Sequence, residues 1–131
     1  MSQTQWAELL DWGEPEIEDL RLAGYSYIKQ GQYLVALKFF RTLVLISKNN
    51  AYDLQVLGAL LLQVGDNLEA LNYLEQALKI DATHEFTLLN RAKALFLLGY
   101  KRQALIQAAG LEKSSNSHIA DQARALTLAY S

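Results

Sequence analysis

A 34-residue period runs through this chain, and few folds are compatible with it. Gly31, Gly65 and Gly99 stand 34 residues apart, as do Ala36, Ala70 and Ala104. Leu20, Leu54 and Leu88 keep the same spacing, and so do Leu37, Leu71 and Leu105, and Gly24, Gly58 and the small Ala92. Shared phase at five separate positions is not an accident of composition. A period in the range of about 20–50 residues signals stacked supersecondary units, each too small to bury its apolar face alone.

On both sides of each central glycine the apolar residues recur at helical spacing, so the unit reads as helix–turn–helix. In the first unit Leu20, Ala23, Gly24 and Tyr27 line the inner face of helix A, and Ala36, Phe40, Leu43 and Val44 that of helix B. Leu54, Leu57, Gly58 and Leu61, then Ala70, Leu74, Ala77 and Leu78, repeat the plan. The third unit, with Leu88, Ala92, Leu95, Ala104, Ala108 and Leu111, departs from it. Ala108 stands where Phe40 and Leu74 stand. Gly110 falls inside the predicted helix B at a cost of about 1 kcal/mol relative to Ala, which predicts a short or bent helix. Ile119, Ala123, Leu126 and Tyr130 then recur as a terminal helix covering the stack, a device that repeat arrays need. The phases divide the chain into an acidic N-terminal arm or helix at 1–14, repeats at 15–50, 51–84 and 85–117, and a capping helix at 118–131.

Charge singles out the N-terminus. Six of the 14 acidic residues lie in the first 19, and no Lys or Arg precedes Arg21. Acids favour helix N-termini, so a solvated acidic helix start is one reading. The other is an arm that docks on a basic surface of the same chain or of a second copy, making a homodimer. Trp6, Leu9, Leu10 and Trp12 would then carry self-association.

Several function classes find no support. Net charge is −2, so no global basic field attracts nucleic acid. Cysteine is absent, which excludes disulfides and thiolate metal sites. The opening residues lack the basic and apolar regions of a signal peptide, and no run of about 18 apolar residues would span a membrane. A cytoplasmic location is expected. His84 and His118, the two histidines, fall in expected inter-repeat turns and read as solvated imidazoles. No metal, no cofactor and no catalytic constellation is expected.

The residues that carry the period also carry a resemblance. Tyr27-Ile28-Lys29-Gln30-Gly31-Gln32-Tyr33 with Ala36, Phe40 and Asn49-Asn50 is similar to the tetratricopeptide consensus. Leu57-Gly58, Leu61, Gly65, Ala70, Leu74, Ala77 and Asp81 match it again, while Lys48 and Ala82 replace its closing proline. The resemblance implies an all-α fold: three tandem repeats in a right-handed superhelical stack, with an N-terminal helix and a C-terminal capping helix. A narrower likeness rests on Phe39-Phe40-Arg41-Thr42-Leu43, Leu57-Gly58-Ala59 and Gln63, and on the stretch from Ala109-Gly110-Leu111 to Ile119-Ala120-Asp121. These segments resemble small chaperones of bacterial type III secretion, of the translocator and needle-subunit classes. That likeness implies a cytosolic protein that holds an apolar export substrate, with a co-chaperone as a further partner.

In the tetratricopeptide family the A helices line a concave groove. The phases that do not pack within their own repeat are Arg21, Leu22, Tyr25, Ile28 and Lys29; then Tyr52, Gln55, Val56, Ala59, Leu62 and Gln63; then Phe86, Leu89, Asn90, Lys93, Phe96 and Leu97. Many are apolar, and an exposed apolar patch marks a binding site unless adjacent repeats bury it. Family members that grip a chaperone C-terminus use Lys, Asn and Arg at phases held here by Arg21, Tyr25, Gln55, Ala59 and Asn90. The match is poor. The expected occupant is a hydrophobic peptide segment or an amphipathic helix, with Tyr25, Tyr52 and Phe86 as anchors. A general scaffold joining two proteins, with no protective role, is the competing reading.

Overall fold

The computed structural model describes residues 13–47 and 49–131. Among these the chain forms seven helices and no strand: α1 (Glu14–Lys29), α2 (Tyr33–Ile46), α3 (Ala51–Gln63), α4 (Asn67–Ile80), α5 (Glu85–Leu97), α6 (Lys101–Leu111) and α7 (Ser117–Tyr130). Three helical hairpins, α1–α2, α3–α4 and α5–α6, stack in order, and α7 closes the stack against α5 and α6. Trp6, Leu9, Leu10 and Trp12 lie outside the described residues.

The periodic glycines explain the hairpins. Gly31, Gly65 and Gly99 have φ of +73°, +92° and +90°, a left-handed conformation that glycine adopts without a Cβ penalty. The same paired bonds close each helix A. Gly31 N–H donates to Ile28 O at 2.9 Å and Gln32 N–H to Tyr27 O at 2.9 Å. The residues 34 and 68 positions further on repeat both bonds. Four helix starts carry side-chain caps: Asn50 accepts from Asp53 N–H, Asp66 from Glu69 N–H, His84 from Thr87 N–H, and Asn116 from His118 and Ile119 N–H.

Close packing within a hairpin depends on a small residue facing a large one. A Cβ on Gly24 would lie 2.8 Å from Phe40 Cε2, and one on Gly58 would lie 2.6 Å from Leu74 Cδ2. Phe40 and Leu74 are fully buried, so neither can swing aside. The third hairpin carries Ala92 and Ala108 at these phases, both fully buried. Two small residues there replace glycine plus a large side chain, which accounts for the departure at Ala108. Its helix B, α6, has 11 residues against 14 in α2 and α4, and ends one residue after Gly110.

The core has two parts. One joins the first two hairpins through Ile17, Phe40, Leu43, Leu57 and Leu61. The other joins α5 and α6 to α7 through Leu89, Leu95, Leu111, Ile119 and Ala123. Two ion pairs tie the first two hairpins together. Arg21 of α1 forks onto Asp53 of α3 at 2.7 and 2.8 Å, and Arg41 of α2 onto Glu69 of α4 at 2.6 and 3.0 Å.

Candidate functional site: a groove across three A helices

Helices α1, α3 and α5 form one wall of the stack, and a cavity of 380 Å³ opens along it. This size lies within the range of about 300–1,000 Å³ common for ligand sites. Tyr25 and Ile28 come from α1, and Tyr52, Gln55, Val56 and Ala59 from α3. Phe86 and Asn90 come from α5. With Gln63 of α3, nine residues expected from phase therefore meet in one cavity. Tyr25, Tyr52 and Phe86 remain substantially exposed. Lys29 Nζ lies 4.9 Å from the Tyr25 ring centroid, a cation–π contact at the outer edge.

The register between α1 and α3 is held by the buried Arg21–Asp53 pair. Asp53 is fully buried, and its Oδ2 also accepts from Ser47 Oγ at 2.8 Å. Arg21 additionally pairs with Glu18. Hydrogen bonding to Asp53 holds the Arg21 guanidinium above its ordinary range. Arg21 is thus engaged in this network and, unlike the phase expectation, does not line the cavity. Beside it, burial pushes the Tyr52 phenol up.

Seven other expected residues, Lys29 and Leu97 among them, lie outside the cavity lining. Leu89 and Phe96 are buried, 2% and 5% exposed. Leu89 packs with Leu111, Ile119 and Ala123, and Phe96 stacks on Tyr130 with ring centroids 4.4 Å apart. The closing helix α7 covers these phases, just as a following repeat would. Lys93 is half-buried and donates to Gln122 Oε1 of α7 at 3.2 Å. Leu62 packs against the core of the first two hairpins. Leu22 is 58% exposed but does not line the cavity.

Other lining residues escaped the phase argument: Tyr33, Leu60, His84 and Thr87. Tyr33 opens α2, a helix not counted toward the groove. His84 is no solvated turn residue. Its Nδ1 accepts from Thr87 N–H at 3.3 Å and lies 2.6 Å from Thr87 Oγ1, capping α5. Its ring and that of His118, in the first turn of α7, each lie 6.2 Å from the Phe86 ring by centroid. His84 stands three residues before a hydroxyl at a helix start, a capping spacing, but histidine is not among the favoured caps.

Among the described residues no three His, Cys, Asp or Glu side chains converge as metal ligands would. Nor is any helix among them long and apolar enough to cross a membrane. The cavity lining contains no Lys, Arg, Asp or Glu, so its chemistry is apolar and neutral-polar.

Comparison with known proteins agrees on the architecture. The tetratricopeptide repeat family model matches residues 54–84. No curated protein matches the sequence. PcrH from Pseudomonas aeruginosa is a similar solved structure, with a TM-score of 0.75 at 22% identity over 91% of this chain and 94% of that one. The type III secretion translocator chaperone SycD from Yersinia enterocolitica has a TM-score of 0.79 at 17% identity over 90% and 93%. The first tetratricopeptide domain of Spaghetti (RPAP3), bound to the HSP90 peptide SRMEEVD, has a TM-score of 0.76 at 18% identity over 89% and 94%. PcrH has also been solved with the chaperone-binding region of PopD. The chain therefore carries a tetratricopeptide repeat at 54–84 and has the all-α fold of that repeat family, shared with translocator chaperones.

Proposed function

We propose that this chain is a protein-binding module whose groove holds an apolar segment of a partner. In the cell it acts as a cytosolic chaperone for a hydrophobic type III export substrate. The observation that carries the reading is the groove lining. Tyr25, Ile28, Tyr52, Val56, Ala59 and Phe86 converge on one cavity that contains no charged side chain. Such a surface suits aliphatic or aromatic anchors. It does not suit the acidic peptide seen on the Spaghetti domain, whose carboxylates call for cations. The fold is shared with PcrH and SycD. Partner binding needs no chemistry beyond this wall.

The test is a paired capture from the native host, using the wild-type chain and the Tyr52→Ala/Phe86→Ala variant, with mass spectrometry of both eluates. A stoichiometric partner retained by the wild type, lost by the variant and insoluble when expressed alone establishes the chaperone role. A partner that is soluble alone makes the chain a general scaffold. Equal recovery by both proteins refutes the groove as the binding surface. An acidic N-terminal segment bearing Trp6, Leu9, Leu10 and Trp12 suits self-association as a homodimer. Deleting residues 1–13 lowers the mass by light scattering if that segment joins two copies, and leaves it unchanged if it does not.

A further inference from the structure

The cavity wall is neutral, yet a cation stands at one of its phases. Tyr25 of α1, Ala59 of α3 and Lys93 of α5 occupy the same place in successive repeats, 34 residues apart. Tyr25 and Ala59 both line the cavity. On α5 itself Phe86, Asn90 and Lys93 follow at i, i+4 and i+7, which puts them on one helical face. The first two line the cavity. Lys93 lies about 4.5 Å further along the helix axis than Asn90, at a rise of about 1.5 Å per residue.

Lys93 differs from the other lysines. Among the described residues every other lysine is exposed, and Lys93 alone is half-buried. Each half-buried arginine has a carboxylate: Arg21 has Asp53 and Glu18, Arg41 has Glu69, and Arg91 has Glu75. Lys93 forms no ion pair among the described residues and donates to the neutral Gln122 Oε1. An ammonium has three donors, and one of them goes to Gln122. Burial pushes the Lys93 amine below its ordinary range, the signature of a charge whose desolvation is not offset.

We propose that Lys93, steadied by Gln122, is the polar anchor of the groove and pairs with a carboxylate on the bound segment. The partner chemistry is thus an apolar peptide carrying one acidic group beside its hydrophobic anchors. That group is an Asp or Glu side chain or a terminal carboxylate. The inference rests on the groove reading above and adds polarity to it. It differs from a multi-point grip on an acidic tail, since Arg21 is committed to Asp53 and the rest of the wall is neutral.

The test uses a displayed library of random dodecapeptides, selected in parallel against the full wild-type chain and Lys93→Met. Methionine keeps the unbranched stem and helix propensity, and far-UV circular dichroism checks that the fold is unchanged. Both proteins should select aromatic and aliphatic residues. The wild type alone should enrich Asp or Glu at a constant spacing from them. Synthetic copies of the leading wild-type peptide are then compared by fluorescence anisotropy, with internal Glu→Gln and with free-acid or amidated C-termini. Loss of the relevant carboxylate should weaken wild-type binding about tenfold and leave Lys93→Met binding unchanged. The carboxylate whose loss matters identifies the source. Equal acid enrichment by both proteins, or none by the wild type, overturns the proposal while the groove reading stands. If no apolar peptide is selected by the wild type, the groove reading falls and this inference falls with it.

Discussion

The pairing of a glycine with a large side chain inside each hairpin can be measured as a coupling energy. A methyl added at Gly58 meets Leu74 Cδ2 at 2.6 Å and Cγ at 2.7 Å, with the Leu74 backbone nitrogen at 3.2 Å. Leu74 is fully buried and cannot yield. Overpacking of this kind costs about 2 kcal/mol, while alanine in place of glycine inside a helix recovers about 1 kcal/mol. Gly58→Ala alone should therefore destabilise by about 1 kcal/mol. Leu74→Ala removes a buried leucine and should cost about 3 kcal/mol. In the double variant the side-chain clash is gone and only the 3.2 Å approach to the backbone nitrogen at 74 remains. Most of the overpacking disappears, the helix gain remains, and the net loss should be about 2 kcal/mol. The coupling energy then equals the overpacking relieved, about 2 kcal/mol, well above the roughly 0.5 kcal/mol scatter of independent sites. Urea unfolding followed by circular dichroism reads all four proteins, and the m-value must stay constant for the cycle to close. The third hairpin already carries the double variant's combination, as Ala92 and Ala108. Additive losses would refute the claim that the close helix approach at Gly58 is set by Leu74.

Arg21→Met leaves the buried Asp53 carboxylate without its counter-charge and should cost about 3–5 kcal/mol in urea unfolding; a loss below about 1 kcal/mol would mean that the pair behaves as a surface one. Tyr52→Ala and Phe86→Ala should each weaken peptide binding by about 1–3 kcal/mol with unchanged helical content. Wild-type affinity in both, read by anisotropy, would remove them as anchors. His84→Ala deletes the α5 cap and should destabilise by about 1 kcal/mol, with His84→Asn restoring most of it. Equal melting of Ala and Asn variants would deny the capping role.

The turns and inner faces were legible in sequence for physical reasons. Gly31, Gly65 and Gly99 mark positions where the backbone is left-handed, and glycine is the residue that goes there most cheaply. Ala36, Ala70 and Ala104 are fully buried against the partner helix, so their phase survives any variation outside. The groove was less legible because a phase states only which residues leave their own hairpin. It does not state what they then meet. Leu89 and Phe96 share phases with Gln55 and Leu62, yet α7 buries them. The signal was present in Ile119, Ala123, Leu126 and Tyr130, an amphipathic set that had to cover something. Repeat 3 was the surface left for it. His84 and Tyr33 were missed because one sits in a turn and the other on a B helix, both outside a rule confined to A helices.

The closing helix therefore does two jobs with one surface. It buries the apolar phases of α5 that a fourth repeat would otherwise cover, through Leu89 and Phe96. In doing so it makes the groove asymmetric. At α1 the wall offers Tyr25 with the exposed Lys29 above it, and Tyr33 beside it. At α5 it offers Phe86 between two imidazoles, then Asn90, then the half-buried Lys93 held by Gln122 of α7. An exposed cation is already compensated by water, whereas a half-buried one is compensated by whatever polar groups reach it. A segment with one acidic group thus gains more by placing it at α5 than at α1. Three identical repeats would offer no single charged end against which the acidic group of a bound segment could be set. Unequal ends separate the two directions by the strength of a single charge-assisted contact, about tenfold in affinity. Direction of binding then follows from α7, a helix that contributes no residue to the cavity itself.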